Sequence, residues 1–134
     1  MSGNSSATEC LKFDLPWPPS VNTYWRHVVM KGRSTTMLSK AGREFRKTAA
    51  GELLAQGGVF TELTGRLRVH LQAFPPDRRK RDLDNLPKSV LDALTHAKVW
   101  LDDSQIDDLR ITRGHIVKRG LLRVTISPMT SEEL

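Results

Sequence analysis

Two aspartates separated by one residue, Asp82 and Asp84, are followed four residues later by Lys88, and a second acidic pair, Asp102 and Asp103, comes downstream. In an extended chain, residues two apart project to the same side, so Asp82 and Asp84 would point together while Leu83 turns inward. Two carboxylates that close repel, and without a counter-charge one of them would hold a proton. A divalent cation removes the conflict, and oxygen-only ligands favour a hard ion such as Mg²⁺, which keeps several of its waters. If a helix starts near Asp84, Lys88 shares a face with it about one turn away, where an ammonium could hold a phosphate oxygen.

The segment ahead of the pair is basic: Arg78, Arg79, Lys80 and Arg81. The 134-residue chain carries 21 Lys plus Arg against 15 Asp plus Glu, a formal charge of +6. That balance favours a polyanionic partner, nucleic acid above all. Each feature also has a plainer account. Asp84 or Asn85 could cap a helix, and Asp82 could pair with Arg79 or Arg81. The basic run could be a solvated surface, and Asp102, Asp103, Asp107 and Asp108 a solvated acidic turn. Trp17, Trp25 and Trp100 suit a core or interface better than base stacking. The four histidines, 27, 70, 96 and 115, have no metal-ligand spacing, and no Walker loop or G-x-S-x-G motif occurs.

The elements that must position these groups follow from hydrophobic period. Leu11, Phe13 and Leu15 alternate with polar residues as in a half-buried strand, ended by Pro16, Pro18 and Pro19. Residues 20–38 read as a loop or irregular hairpin turning at Lys31-Gly32. Ser39 can cap a helix to Gln56 whose stripe is Ala41, Phe45, Ala49 and Leu53, with Gly57-Gly58 as its stop. Residues 66–73 alternate, with Leu67, Val69, Leu71 and Ala73 on one side. A second helix is expected from Asn85 to Ala97, with Leu86, Val90, Leu94 and Ala97 inward and Pro87 in its first turn. It would carry the chain some 20 Å at about 1.5 Å per residue, so Asp103 reaches the first pair only if the chain folds back. Two last strands, near Leu109–Val117 and Leu122–Ile126, are expected to form a hairpin turning at Gly120.

The order β-loop-α-β-α-β-β implies an α+β fold of two layers: a small mixed sheet with two helices packed on one face. Residues 11–128 would form a single domain, with tails at 1–10 and 129–134. One cysteine, Cys10, rules out an intramolecular disulfide and suits a reducing compartment. No stretch is long enough to span a membrane, and no signal-peptide core is present. A soluble, cytoplasmic protein is expected.

At LPWPPSVNTYWRH, PDRRKRDLDNLPKSVLDAL and WLDDSQI the chain resembles the RusA family of Holliday junction resolvases, over roughly residues 11–128. The resemblance implies a small homodimeric endonuclease of DNA recombination and repair. Such an enzyme resolves four-way junctions by paired symmetric nicks, uses Mg²⁺ (Mn²⁺ substituting), and needs no nucleotide cofactor. Carried onto this sequence, it puts metal ligands at Asp82, Asp84 and Asp103 and a catalytic lysine at Lys88. DNA contacts fall at Arg78, Arg79, Lys80 and Arg81, and at Arg26 and His27. Spacing alone does not choose Asp103 over Asp102. Residue chemistry alone also leaves open a metal nuclease for other branched or duplex DNA, or a basic DNA-binding protein without catalysis.

Overall fold

The computed structural model describes residues 10–57 and 62–134. Its elements are β1 (Leu11–Leu15), α1 (Val21–Tyr24), β2 (Trp25–Met30), β3 (Arg33–Leu38), α2 (Lys40–Gly57), β4 (Leu67–Phe74), α3 (Pro87–His96), β5 (Ile106–Arg113) and β6 (Leu121–Pro128). Short 3-10 turns, Leu83–Asn85 and Asp103–Gln105, bracket α3. The main sheet has the order β1-β6-β4-β5, and β2 and β3 form a separate two-stranded ribbon. The expected mixed α+β architecture is therefore present.

Alternation sets one wall of the core. Phe13, Val124 and Leu71 are register partners across β1, β6 and β4, and Leu15, Leu122 and Ala73 form the next row. All six are essentially buried. The intervening Arg68, His70 and Gln72 stand on the other, wetter side of β4. The helices cover the apolar side with Phe45, Ala49 and Leu53 of α2 and Val90, Ala93 and Leu94 of α3. The Ser39 hydroxyl accepts the Gly42 amide at 3.0 Å, the cap its position predicts. Trp100 is fully buried, and its indole donates to Thr95 at 2.6 Å.

Three expectations need correction. The last two strands do not form a hairpin. β5 runs parallel to β4, and β6 lies antiparallel on the opposite edge of β4. The connection between them is tied to the end of β4, where the Gly114 amide donates to Ala73 and the Val117 amide to Pro75. Gly120, at φ +77, turns the chain against Trp17 and Pro76, where a Cβ would meet the Trp17 side chain at 2.7 Å. Alternation with one glycine between is common to a hairpin and to this return, and only pairing separates them. The second helix starts at Pro87 rather than Asn85, because Leu83–Asn85 takes the tighter 3-10 turn and Leu86 the N-cap position. Residues 20–38 hold a short helix, α1, as well as the hairpin turning at Lys31-Gly32.

Most of the expected N-terminal tail, residues 1–9, and Gly58 lie outside the described residues. The C-terminal tail folds back: the Met129 amide donates to Arg66, and Glu133 pairs with Arg68. Among the described residues no helix is long and apolar enough to cross a membrane. Leu71 lies at the centre of the sheet with no exposure. Leu71→Ala is expected to lower the unfolding free energy by about 2–5 kcal/mol in urea denaturation, the usual range for a buried truncation.

Candidate active site

The basic run is ordered by its first acidic neighbour. Asp77 accepts the Arg79 amide at 2.9 Å and pairs with Arg81 at 2.8 Å. The Arg81 guanidinium lies 5.6 Å over the Trp17 ring, and the Arg81 carbonyl accepts from Arg113 at 2.9 Å. Arg81 is thereby fixed, whereas Arg78, Arg79 and Lys80 extend into solvent. Beside them a cleft of about 360 Å³ is lined by Trp17, Ser20, Lys80, Arg81, Asp82 and Asn85, among others.

Asp82 is extended, at φ −90 and ψ 132, and its side chain makes no capping bond. Asp84 lies within the following 3-10 turn, so the two carboxylates are not set by strand alternation as expected. Leu83 still packs against the core. The capping account of Asp84 and Asn85 does not hold, since α3 has no side-chain cap at its start. The pairing account of Asp82 does not hold either, since Asp77 takes Arg81.

Lys88 projects from the first turn of α3, whose opposite side is buried. Ser89, wholly buried, donates to the Pro19 carbonyl at 2.9 Å, which seats the proline-rich segment on this helix. Lys88 lines two further clefts. One is shared with Asn22, Trp25, His27 and Thr36, the other with Trp25, Asp92, Thr95, Asp102 and Asp103. Asp92, one turn beyond Lys88, is a group the sequence reading missed. It accepts the Tyr24 hydroxyl, and Arg46 Nε and Nη2 at 3.0 and 2.9 Å. Burial first, then the Asp92 carboxylate, push the Tyr24 phenol well above its ordinary value. The signal available was thin: Arg46 lies off the apolar stripe of its helix, and Asp92 lies four after Lys88.

Geometry separates the second acidic pair. Asp102 caps the turn Asp103–Gln105, accepting the Ser104 amide while Gln105 reaches back to the Asp102 amide. Hydrogen bonds from Ser104 hold the Asp102 carboxyl below its ordinary value. Asp103 has no such duty. Asp107 pairs with Arg66, Asp108 with Arg68 and Asp14 with Arg123. Among the described residues six aspartates are thus engaged, and three carry no protein partner: Asp82, Asp84 and Asp103. All three are exposed. Asp82 lines the cleft beside Lys80 and Arg81 and Asp103 one of the Lys88 clefts, and no group of three His, Cys, Asp or Glu among the described residues is close enough to hold one ion. His27 lines the Lys88 cleft with Thr36, while His70 bonds Thr112 on the outer sheet face and His115 meets Phe74 edge-on.

The profile of the family described as Endodeoxyribonuclease RusA matches residues 16–127. A protein named Crossover junction endodeoxyribonuclease RusA from Escherichia coli (strain K12) is 40% identical over 118 residues, 88% of this chain and 94% of the relative. Proteins of the same name from Enterobacteria phage 82 and phage HK97 are 41% identical over 122 residues and 40% over 120. The phage 82 alignment covers 88% of this chain and 94% of that protein, the HK97 alignment 90% and 96%.

The Arg81 guanidinium and the Arg79 amide hold the Asp77 carboxyl down to about 2 from an ordinary 3.8. The folded value is the lower one, so the contribution of this pair is complete above the ordinary value and lost as pH falls through about 2. An NMR titration should place the Asp77 midpoint near 2, and Arg81→Ala should return it towards 3.8. Asp92→Ala removes the acceptor of the buried Tyr24 hydroxyl and leaves it only the Arg46 Nε donor at 3.1 Å, and chemical denaturation should register a loss of about 1–3 kcal/mol.

Proposed function

This chain belongs to the RusA family of endodeoxyribonucleases, and on that premise we propose that it is a crossover junction endodeoxyribonuclease. It resolves Holliday junctions by paired nicks in recombination and repair. Asp82, Asp84 and Asp103 would hold Mg²⁺, with Mn²⁺ able to substitute, after a movement that brings them together, because the three do not meet at one point in the free chain. One observation carries the reading. Six aspartates of the described chain are committed to caps and ion pairs, and the three left without a protein partner among the described residues are the three that the resemblance to the family implies as metal ligands. On a protein of charge +6, bare carboxylates beside a basic segment repel a phosphate backbone unless a cation intervenes. A non-catalytic binder has no use for them there.

A divalent cation on these carboxylates supplies charge neutralisation at the scissile phosphate and a water of lowered pKa. The remaining work falls to side chains of this chain. Lys88 holds a non-bridging phosphate oxygen or the leaving oxygen. Arg78, Arg79 and Lys80, exposed to solvent, grip the backbone in a salt-dependent way, with His27 lining the Lys88 cleft and Arg26 on the opposite face of its strand. Arg81 acts at one fixed position, because Asp77 and Trp17 restrain it. A homodimer with two-fold symmetry presents two such sites to a junction of near two-fold symmetry. The cytoplasm is where such a substrate arises.

Asp82→Asn, Asp84→Asn and Asp103→Asn should each reduce Mg²⁺-dependent nicking of a synthetic four-way junction by about 10²–10³-fold, the scale of losing one charge-stabilising group. Asp102→Asn, which touches a turn cap, should stay within a few-fold. Equal losses at 102 and 103, or full activity in the Asp82 variant, would overturn the assignment. Linear duplex of the same sequence serves as the substrate control: comparable cleavage would make the enzyme a general nuclease.

A further inference from the structure

Residues 25–38 contain Arg26, Lys31 and Arg33 and no carboxylate. They form the β2–β3 ribbon, which pairs with no strand of the main sheet. The strands are in register from Trp25↔Leu38 to Met30↔Arg33, so only Lys31 and Gly32 make the turn. Both have positive φ, 53 and 76, the condition for the tight two-residue turn whose twist matches the ribbon. Six residues at about 3.3 Å each give a reach of about 20 Å.

The two most exposed apolar groups of this arm are at its far end, with Met37, 48% exposed, nearer the base. Val29 and Met30, next to the turn, are 73% and 58% exposed. Trp25 and Leu38, at the base, pack on the core. Side chains two apart share a ribbon face, so Val29 continues the face of Trp25 and His27. That face, with Thr36, walls the cleft shared with Lys88. An apolar tip flanked by Lys31 and Arg33, with Val29 on the face that walls the Lys88 cleft and Met30 on the other, matches a chemistry known for DNA-bending proteins: cations on phosphates and an apolar wedge against an opened base step. The charge excludes an apolar partner without acidic groups as the simplest occupant, since three cations that have no ion-pair partner among the described residues line the same arm.

We propose that the β2–β3 arm reads the branch point, Val29 and Met30 packing on the base pair exposed where the stacked arms of a junction diverge, with Lys31, Arg33 and Arg26 on the flanking phosphates. The inference rests on the junction-nuclease reading and adds the source of its structure selectivity. In linear duplex a wedge must first unstack a base step, whereas at a branch the stack is already interrupted. The arm thus favours junctions without reading sequence.

The test uses the full-length protein with Ca²⁺ in place of Mg²⁺ and a four-way junction carrying 2-aminopurine at the branch. Wild type should raise the fluorescence on binding. Val29→Ser with Met30→Ser should abolish most of that rise and cut the preference for junction over duplex about tenfold, the scale of one lost stacking contact. Its thermal unfolding should be unchanged, since both side chains lie largely in water. Lys31→Ala with Arg33→Ala should weaken binding to junction and duplex alike and lower the salt dependence by about two ions. A wild type that binds the junction with no fluorescence rise overturns the wedge, as does a Val29/Met30 variant that keeps both rise and preference. A variant that changes the sedimentation of the free protein makes the arm a contact between copies, and also overturns it. A wild type that does not bind junctions at all refutes the nuclease reading itself.

Discussion

The seating of α3 is the constraint on which the rest of the molecule depends. Its inner side, Val90, Ala93 and Leu94, is buried against the sheet, and two polar tethers fix its rotation. Ser89 ties it to Pro19 and the proline-rich segment. Asp92 ties it to Tyr24, at the root of the β2–β3 arm, and to Arg46 of α2. The candidate acidic groups and the lysine all adjoin this helix: Asp82 and Asp84 lead into it, Lys88 projects from its first turn, and Asp103 follows it. A rotation of α3 would move Lys88 away from both clefts it lines. Burying such a helix with polar tethers is favourable only because each tether is satisfied; a stranded partner would cost more than the bond contributes.

Charge on this surface is sorted into two populations. One set is spent on architecture: Asp77 with Arg81, Asp107 with Arg66, Asp108 with Arg68, Asp14 with Arg123. Exposed pairs of this kind add little stability each, but they remove charges from competition and fix where the remaining ones lie. The other set, three carboxylates and several cations, has no partner within the described chain. Asp82 and Asp84 stand before α3 and Asp103 after it, so the unpaired carboxylates bracket the helix.

The path of the chain around β4 explains how distant stretches meet. A parallel β4–β5 pair requires a crossover, and α3 is that crossover. It brings Asp103, at the start of β5, back along the helix that begins beside Asp84. β6 then fills the other edge of β4, held by the tie of the 114–120 connection to the strand end. The β2–β3 ribbon is left outside the sheet, held to the core at its base by Trp25 and Leu38, which leaves its tip free.

Period and residue type in the sequence determined most of what is local. The alternation of Leu67 to Ala73, the stripe Phe45, Ala49 and Leu53, the Ser39 cap and the Lys31-Gly32 turn are each dictated by neighbours a few residues away, and all are found. The pair Asp82 and Asp84 with Lys88 was visible for the same reason. What involves distant partners was decided by tertiary structure alone. Nothing local distinguishes a β5–β6 hairpin from two strands on opposite edges of β4, because both need the same alternation and the same glycine. Nothing local separates Asp102 from Asp103 before Gln105 folds back to complete the cap. Nor does any spacing announce Tyr24, Arg46 and Asp92, which lie 22 and 46 residues apart and meet only because burial of three helices brings them to one point.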